Sequence, residues 1–247
     1  MKKELNSFQL KCICIVLMIV GVCLQQAVYI LNKDVLTAGG QLSGVFTLVY
    51  NAGYMLYLAA FPLASFLLIE AARKTSDRKR LFKRLLITAL IVEIPMDIAT
   101  FGISEWKSWG LNQNYFFTMC IALGVVMVIN ALGKKFKAGS MSQTLSTLFV
   151  YLLGAGLTIL ARTEMGSIGV LMVVILYLFY TNKMYSFLGV ALLYLMFVKQ
   201  FFPAFAVLFT WFYNGEQGRS DKVTRSVFYF AFPVVYVVLG IAAQMLG

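Results

Sequence analysis

The 247-residue sequence contains no histidine. That removes the commonest general base, the one side chain that titrates near neutrality, and with it most catalytic zinc sites. No glycine-rich phosphate loop, GxSxG elbow or CxxC pair is present either. Charge is scarce, at 13% of residues with only 10 acids. Ser- or Pro-rich linkers and low-complexity tracts are missing, and no strong internal repeat shows. The lack of a repeat argues against an inverted-repeat transporter. The four cysteines, Cys12, Cys14, Cys23 and Cys120, all fall inside apolar segments, where they act as small hydrophobes and offer no disulfide framework.

What is abundant is apolar surface. Hydrophobic residues make up 61% of the chain and the mean hydropathy is +0.83. A soluble domain of this length has no interior large enough to hide so much. The expected fold is therefore an all-α polytopic membrane protein, a single bundle over 1–247 with no soluble domain left over. The apolar runs are continuous rather than alternating, which excludes a transmembrane barrel. Each crossing needs about 20 apolar residues, and about nine segments are expected: 8–31, 46–72, 85–103, 115–132, 143–161, 167–181, 185–199, 202–213 and 226–246. The first resembles a leader peptide, but its apolar run continues to Ile30, so it is read as a retained span.

The net charge of +11 looks like a nucleic-acid signature until its positions are read. With nine spans, only Lys33, Lys107, Arg162 and Lys199 of the 21 Lys and Arg fall on one side. The rest gather on the other, most densely in the basic block 73–84. This is an orientation signal that puts the amino terminus in the cytoplasm, and no nucleic-acid partner is expected.

Charges within apolar segments are costly and mark functional sites by default. Glu93 and Asp97 lie four apart in LLITALIVEIPMDIATFG, on one face of a helix. Pro95 between them leaves the Ile91 carbonyl without its usual donor. Two acids and a freed carbonyl suggest a polar pocket; the plainer reading is that both acids pair with neighbouring cations and lock helices together. Counting about 1.5 Å per residue from Leu85 sets Glu93 close to the bilayer midplane, about 12 Å in. Glu70 stands one turn before Arg73 and Lys74, where a local ion pair is expected. Gln113 and Asn114 open the fourth span at the outer face. The block 73–84, with Arg73 and Arg84, could grip phosphates or simply touch anionic lipid.

Several stretches together resemble one family. FPLASFLLIE, the basic block, EIPMD and QNYFFT follow in order the core signature of the TraX family, roughly FP-x-F-x-F-L-x-x-E-G, a basic loop, S-E-I-P-F-D and Q-N-x-x-F-T. WFYNGEQG resembles its L-Y-N-G-x-x-G, FYFAFPVV its F-Y-x-F-Y-P-x-H, and FQLKCICIVLMIVGV its L-K-x-I-A-x-x-L-M-x-x-D-H. The family takes its name from a conjugation protein that acetylates the amino terminus of pilin. Its pattern is similar to membrane acyltransferases that draw on cytoplasmic acetyl-CoA.

The resemblance therefore implies a bacterial inner-membrane acetyltransferase acting on an amino or hydroxyl group of a peptide or envelope substrate. Glu70, Glu93, Pro95, Asp97, Gln113, Asn114, Thr118, Asn214 and Gly215 occupy motif positions. Glu93 and Asp97 are the catalytic candidates; Glu70, Arg73, Arg84, Gln113, Asn114, Thr118, Asn214 and Gly215 are the binding candidates. The family's Asp-His in the first span is Gly21-Val22 here, and its last-span His is Val235. Either a carboxylate has taken over proton transfer, or the pocket has kept its shape without the chemistry. The second course leaves a non-catalytic protein that binds a peptide or lipid, or partners an exporter.

Overall fold

The computed structural model describes residues 4–102, 108, 110–137, 139–219 and 221–246. Lys2, Lys3, Lys107 and Gly247 lie outside the described residues. The described chain is helical and has no strand, only two isolated bridges. In order come α1 (Ser7–Leu31), α2 (Lys33–Thr37), α3 (Gly44–Lys74), α4 (Arg78–Phe101), α5 (Tyr115–Gly133), α6 (Met141–Leu160), α7 (Gly166–Leu178) and α8 (Lys183–Leu193). A π-helical turn (Tyr194–Val198), a 3-10 helix (Phe202–Phe212) and α9 (Lys222–Leu246) complete it. Among the described residues, α1, α3, α5 and α6 are long and apolar enough to cross a membrane, and four shorter apolar helices accompany them. The chain is a membrane protein by this measure.

Helix starts follow local chemistry. Asn6 and Gln9 form a reciprocal capping box on α1, and Ser140 and Asn182 cap α6 and α8 through their side chains. Asp77 accepts from the Arg80 amide, which starts α4 at Arg78 rather than near Leu85. The expected loop 73–84 thus shrinks to residues 75–77, because Arg, Lys, Leu and Phe extend a capped helix readily. The expected spans 185–199 and 202–213 are not simple α-helices. Lys199 turns left-handed at φ 58, and the next segment winds as 3-10, which rises about 2.0 Å per residue and so stretches a short run.

The chain forms two compact units, and α3 and α4 each contribute to both. The first comprises Met1–Ala64, Ile94–Trp109 and Gln200–Gly247. In it α1 packs against α9 and crosses α3 through Gly21 and Gly53. A Cβ on Gly21 would stand 2.6 Å from the Tyr57 nitrogen and 2.8 Å from the Gly53 oxygen. Lipid offers no hydrophobic drive for helix pairing, so such close backbone contact is what holds two membrane helices together. Residues 5–7 are also bonded to the segment after the 3-10 helix: Leu5 N donates to Phe212 O at 3.0 Å, Asn214 N to Leu5 O at 2.8 Å, and Ser7 N to Glu216 O at 2.9 Å.

The second unit comprises Ser65–Glu93 and Gly110–Lys199. Here α5, α6 and α7 pack mutually and α8 packs on α7. Leu123 and Val126 of α5 and Val170 and Val173 of α7 are buried, whereas Leu148, Leu152 and Leu160 of α6 are exposed. Gln113 exchanges backbone hydrogen bonds with Arg162 (3.1 Å) and Glu164 (2.8 Å), so the start of α5 and the turn between α6 and α7 share one end.

Candidate functional site

Glu93 has a specific partner within the second unit. Its Oε2 accepts from the Asn114 backbone at 3.0 Å and from Asn114 Nδ2 at 2.6 Å. Nδ2 also donates to the Ala89 carbonyl at 2.8 Å, and Asn114 Oδ1 accepts from the Phe116 amide to cap α5. Asn114 is fully buried. A carboxylate at the positive end of α5 is favourably placed, and the bonds it accepts lock α4 to α5. This joins the Glu of EIPMD to the Asn of QNYFFT. Glu93 therefore lies level with the start of α5, on a helix that already includes residues 78–84. Asp97 is buried but belongs to the first unit.

The opposite ends of these helices carry a second group. At about 1.5 Å per residue, Arg78 to Glu93 rises about 22 Å and Asn114 to Asn130 about 24 Å, a match that sets α4 and α5 antiparallel. Residues 75–79 accordingly meet Asn130 and Lys134 around a cleft of about 560 Å³. Arg78 Nε donates to the Ala72 carbonyl at 3.0 Å, and Tyr177 OH donates to Asn130 Oδ1 at 3.2 Å. Among the described residues, Arg78, Lys79 and Lys134 have no ion-pair partner.

The third group surrounds Glu70, one to two turns from that cleft along α3. Glu70 is buried; it pairs with Lys74 at 2.6 Å and accepts the Tyr180 hydroxyl. The Tyr180 ring stacks on Phe66 with centroids 5.6 Å apart. The Arg73 guanidinium lies 4.4 Å from its centroid, and Lys183 Nζ lies 4.4 Å from Tyr180 and 4.2 Å from Phe66. Each cation over a ring contributes about 0.5–2 kcal/mol, the higher figure when desolvated.

The remaining candidates fall elsewhere. Thr118, one turn into α5 from Asn114, is fully buried and its hydroxyl has no hydrogen-bond partner. Arg84 is exposed on α4 away from the cleft lining. Gln113 meets Arg162 and Glu164 through its backbone, and its Nε2 donates to the Gly110 carbonyl at 3.1 Å. Asn214 and Gly215 sit in the first unit, where Asn214 Oδ1 accepts from the Glu216 amide at 2.9 Å and Gly215 takes φ +87 to turn the chain. Tyr180, Lys183 and Asn130 are not apparent from spacing, since Tyr180 meets Glu70, Lys183 meets Phe66 and Asn130 shares the cleft with the α3–α4 turn, all far apart in sequence.

Taken together, an all-helical membrane chain with buried carboxylates at polar helix ends defines a polytopic membrane protein with internal polar sites. The sequence pattern described as TraX protein matches residues 7–243, and the chain belongs to that family. No curated protein and no solved structure matches it.

Proposed function

We propose that the protein is a membrane acetyltransferase in which Glu70 and Tyr180 replace histidine as the proton carriers. The observation that carries this reading is the Tyr180 hydroxyl donated to a buried carboxylate, flanked by Arg73 and Lys183. In acetyl transfer from acetyl-CoA, an amine or hydroxyl attacks the thioester carbonyl as the carbon–sulfur bond breaks. Tyr180 would accept the nucleophile's proton while passing its own to Glu70, and the proton would end on the departing thiolate. Arg73 and Lys183 favour the negative charge that develops. The acceptor class is a peptide or envelope amine, such as a pilin-like or other secreted chain.

The test is release of free CoA thiol from acetyl-CoA by membranes carrying the protein, with envelope peptides as acceptors. Glu70→Gln and Tyr180→Phe should each slow it by about 10²–10⁴, the usual worth of general acid–base catalysis. Glu93→Gln should retain turnover, since Glu93 binds Asn114; Asp97→Asn tests the other buried acid. Wild-type turnover unchanged by both Glu70→Gln and Tyr180→Phe would remove the pair from the mechanism.

A second reading, binding without catalysis to a peptide, a lipid or an exporter, is favoured by one observation. Where the family pattern has Asp, the α1–α3 crossing leaves Gly21 no room for a side chain, and buried Val22 follows it. Absence of thiol release above empty membranes would favour this reading.

The proposed topology is nine crossings of the bacterial inner membrane with the amino terminus in the cytoplasm. Two pairings support alternate crossing: Gln113 with the α6–α7 turn, and residues 75–79 with Lys134.

A further inference from the structure

We infer that the cleft between the α3–α4 turn and the carboxyl end of α5 is a binding site for a phosphate-bearing group. Three cations line it, Arg78 and Lys79 from α4 and Lys134 from the residue that ends α5. Asp77 is the single acid among the described residues of its lining, and it is engaged with the Arg80 amide. Arg78 spends Nε on the Ala72 carbonyl, which fixes the guanidinium and leaves its two Nη groups as donors. Asn130 is held in turn by Tyr177, and Thr75 and Ser76 add hydroxyl-bearing side chains to the rim. The donor set is cationic, forked and polar, which suits phosphate oxygens.

A second observation points the same way. Arg78, Lys79, Arg80, Lys83 and Arg84 crowd the first two turns of α4. Cations at a helix start oppose the helix dipole, and the first turn of α4 contains no acid. A sequence that breaks a local rule in this way identifies a site with another use. A bound anion would relieve both the mutual repulsion of the three cations and their conflict with the dipole. Phosphate is common to two sources here, the diphosphate of a coenzyme A-type cosubstrate and the headgroup of an anionic lipid. The site adjoins the proposed Glu70–Tyr180 pair but is tested without acetyl transfer.

The experiment measures binding of CoA, and of pantetheine, which lacks phosphate, to the purified full chain in discs of uncharged-headgroup lipid. Parallel discs contain phosphatidylglycerol. The variants are Lys79→Gln with Lys134→Gln, both lysines being exposed, and Arg84→Gln, which removes a charge outside the cleft. CoA should bind and pantetheine should not; the double variant should weaken CoA at least tenfold, and Arg84→Gln should not. Loss of CoA binding in phosphatidylglycerol discs at the same ionic strength assigns the site to lipid headgroups; undiminished binding assigns it to the cosubstrate. Thermal unfolding of each variant at the wild-type temperature verifies that folding is intact. If the double variant unfolds early, Lys134→Gln alone replaces it. CoA binding unaffected by the cleft variants, or no retention of CoA or phosphatidylglycerol by the wild type, overturns the inference.

Discussion

At the scale of single residues, Asn114 supports more of the second unit than its modest size suggests. One side chain caps α5, holds the Glu93 carboxylate and bonds the Ala89 carbonyl. Asn114→Ala removes a cap, worth about 1 kcal/mol, and strips a partner from a part-buried carboxylate, at about 1–3 kcal/mol. Thermal unfolding in micelles should show a loss of about 2–4 kcal/mol, with Asn114→Asp losing at least as much because it sets two acids side by side. Gly21 answers to a different force. Gly21→Ala puts a methyl 2.6 Å from the Tyr57 nitrogen, and overpacking of this kind costs about 1–3 kcal/mol. The same variant in a chain whose α1 and α3 stood further apart would be neutral. Unfolding temperature distinguishes the two cases. Restoring the family's Asp at this position is expected to disrupt the crossing rather than revive chemistry.

Among elements, α4 shows what a sequence can and cannot disclose. Its apolar run, its two acids and Pro95 are visible as letters, and the run of cations before it reads as a loop because charge ordinarily marks a span's end. The capped start at Asp77 overrides that reading, since a single carboxylate at the helix start lets the cations enter the first turns. Hydrogen exchange measures this directly. Asp77→Ala should speed exchange of the amides of residues 78–84, while those around Asn114 stay protected. The pairing of Glu93 with Asn114 was half legible, because the motif positions were visible but not that they touch. Tyr180 could not be read at all; its role depends on a contact with Glu70 110 residues away in sequence, and no local period encodes that. The long helices α1, α3, α5 and α6 were legible because unbroken apolar runs leave membrane helices few alternatives.

For the whole molecule, the sidedness of its loops is the property to measure. Single cysteines introduced at Ser76, Lys135 and Asn182, in a background with the four native thiols replaced by alanine, should react with an impermeant thiol reagent from the cytoplasmic side. One at Glu164 should react from the opposite side; a common response at Ser76 and Glu164 would contradict the alternate crossing of α4 to α6. The bonds between residues 5–7 and residues 212–216 also govern how the protein is made. Their two halves leave the ribosome about two hundred residues apart, an interval of roughly 10–40 s at about 5–20 residues per second. Until the later strand of backbone arrives, Leu5 and Ser7 have no partners there and α1 has only its own capping box to define its start. Assembly of the first unit is therefore a late, non-local closure. A bulky tag fused close to Leu5 is expected to slow maturation of the protein in the membrane more than it weakens the finished fold.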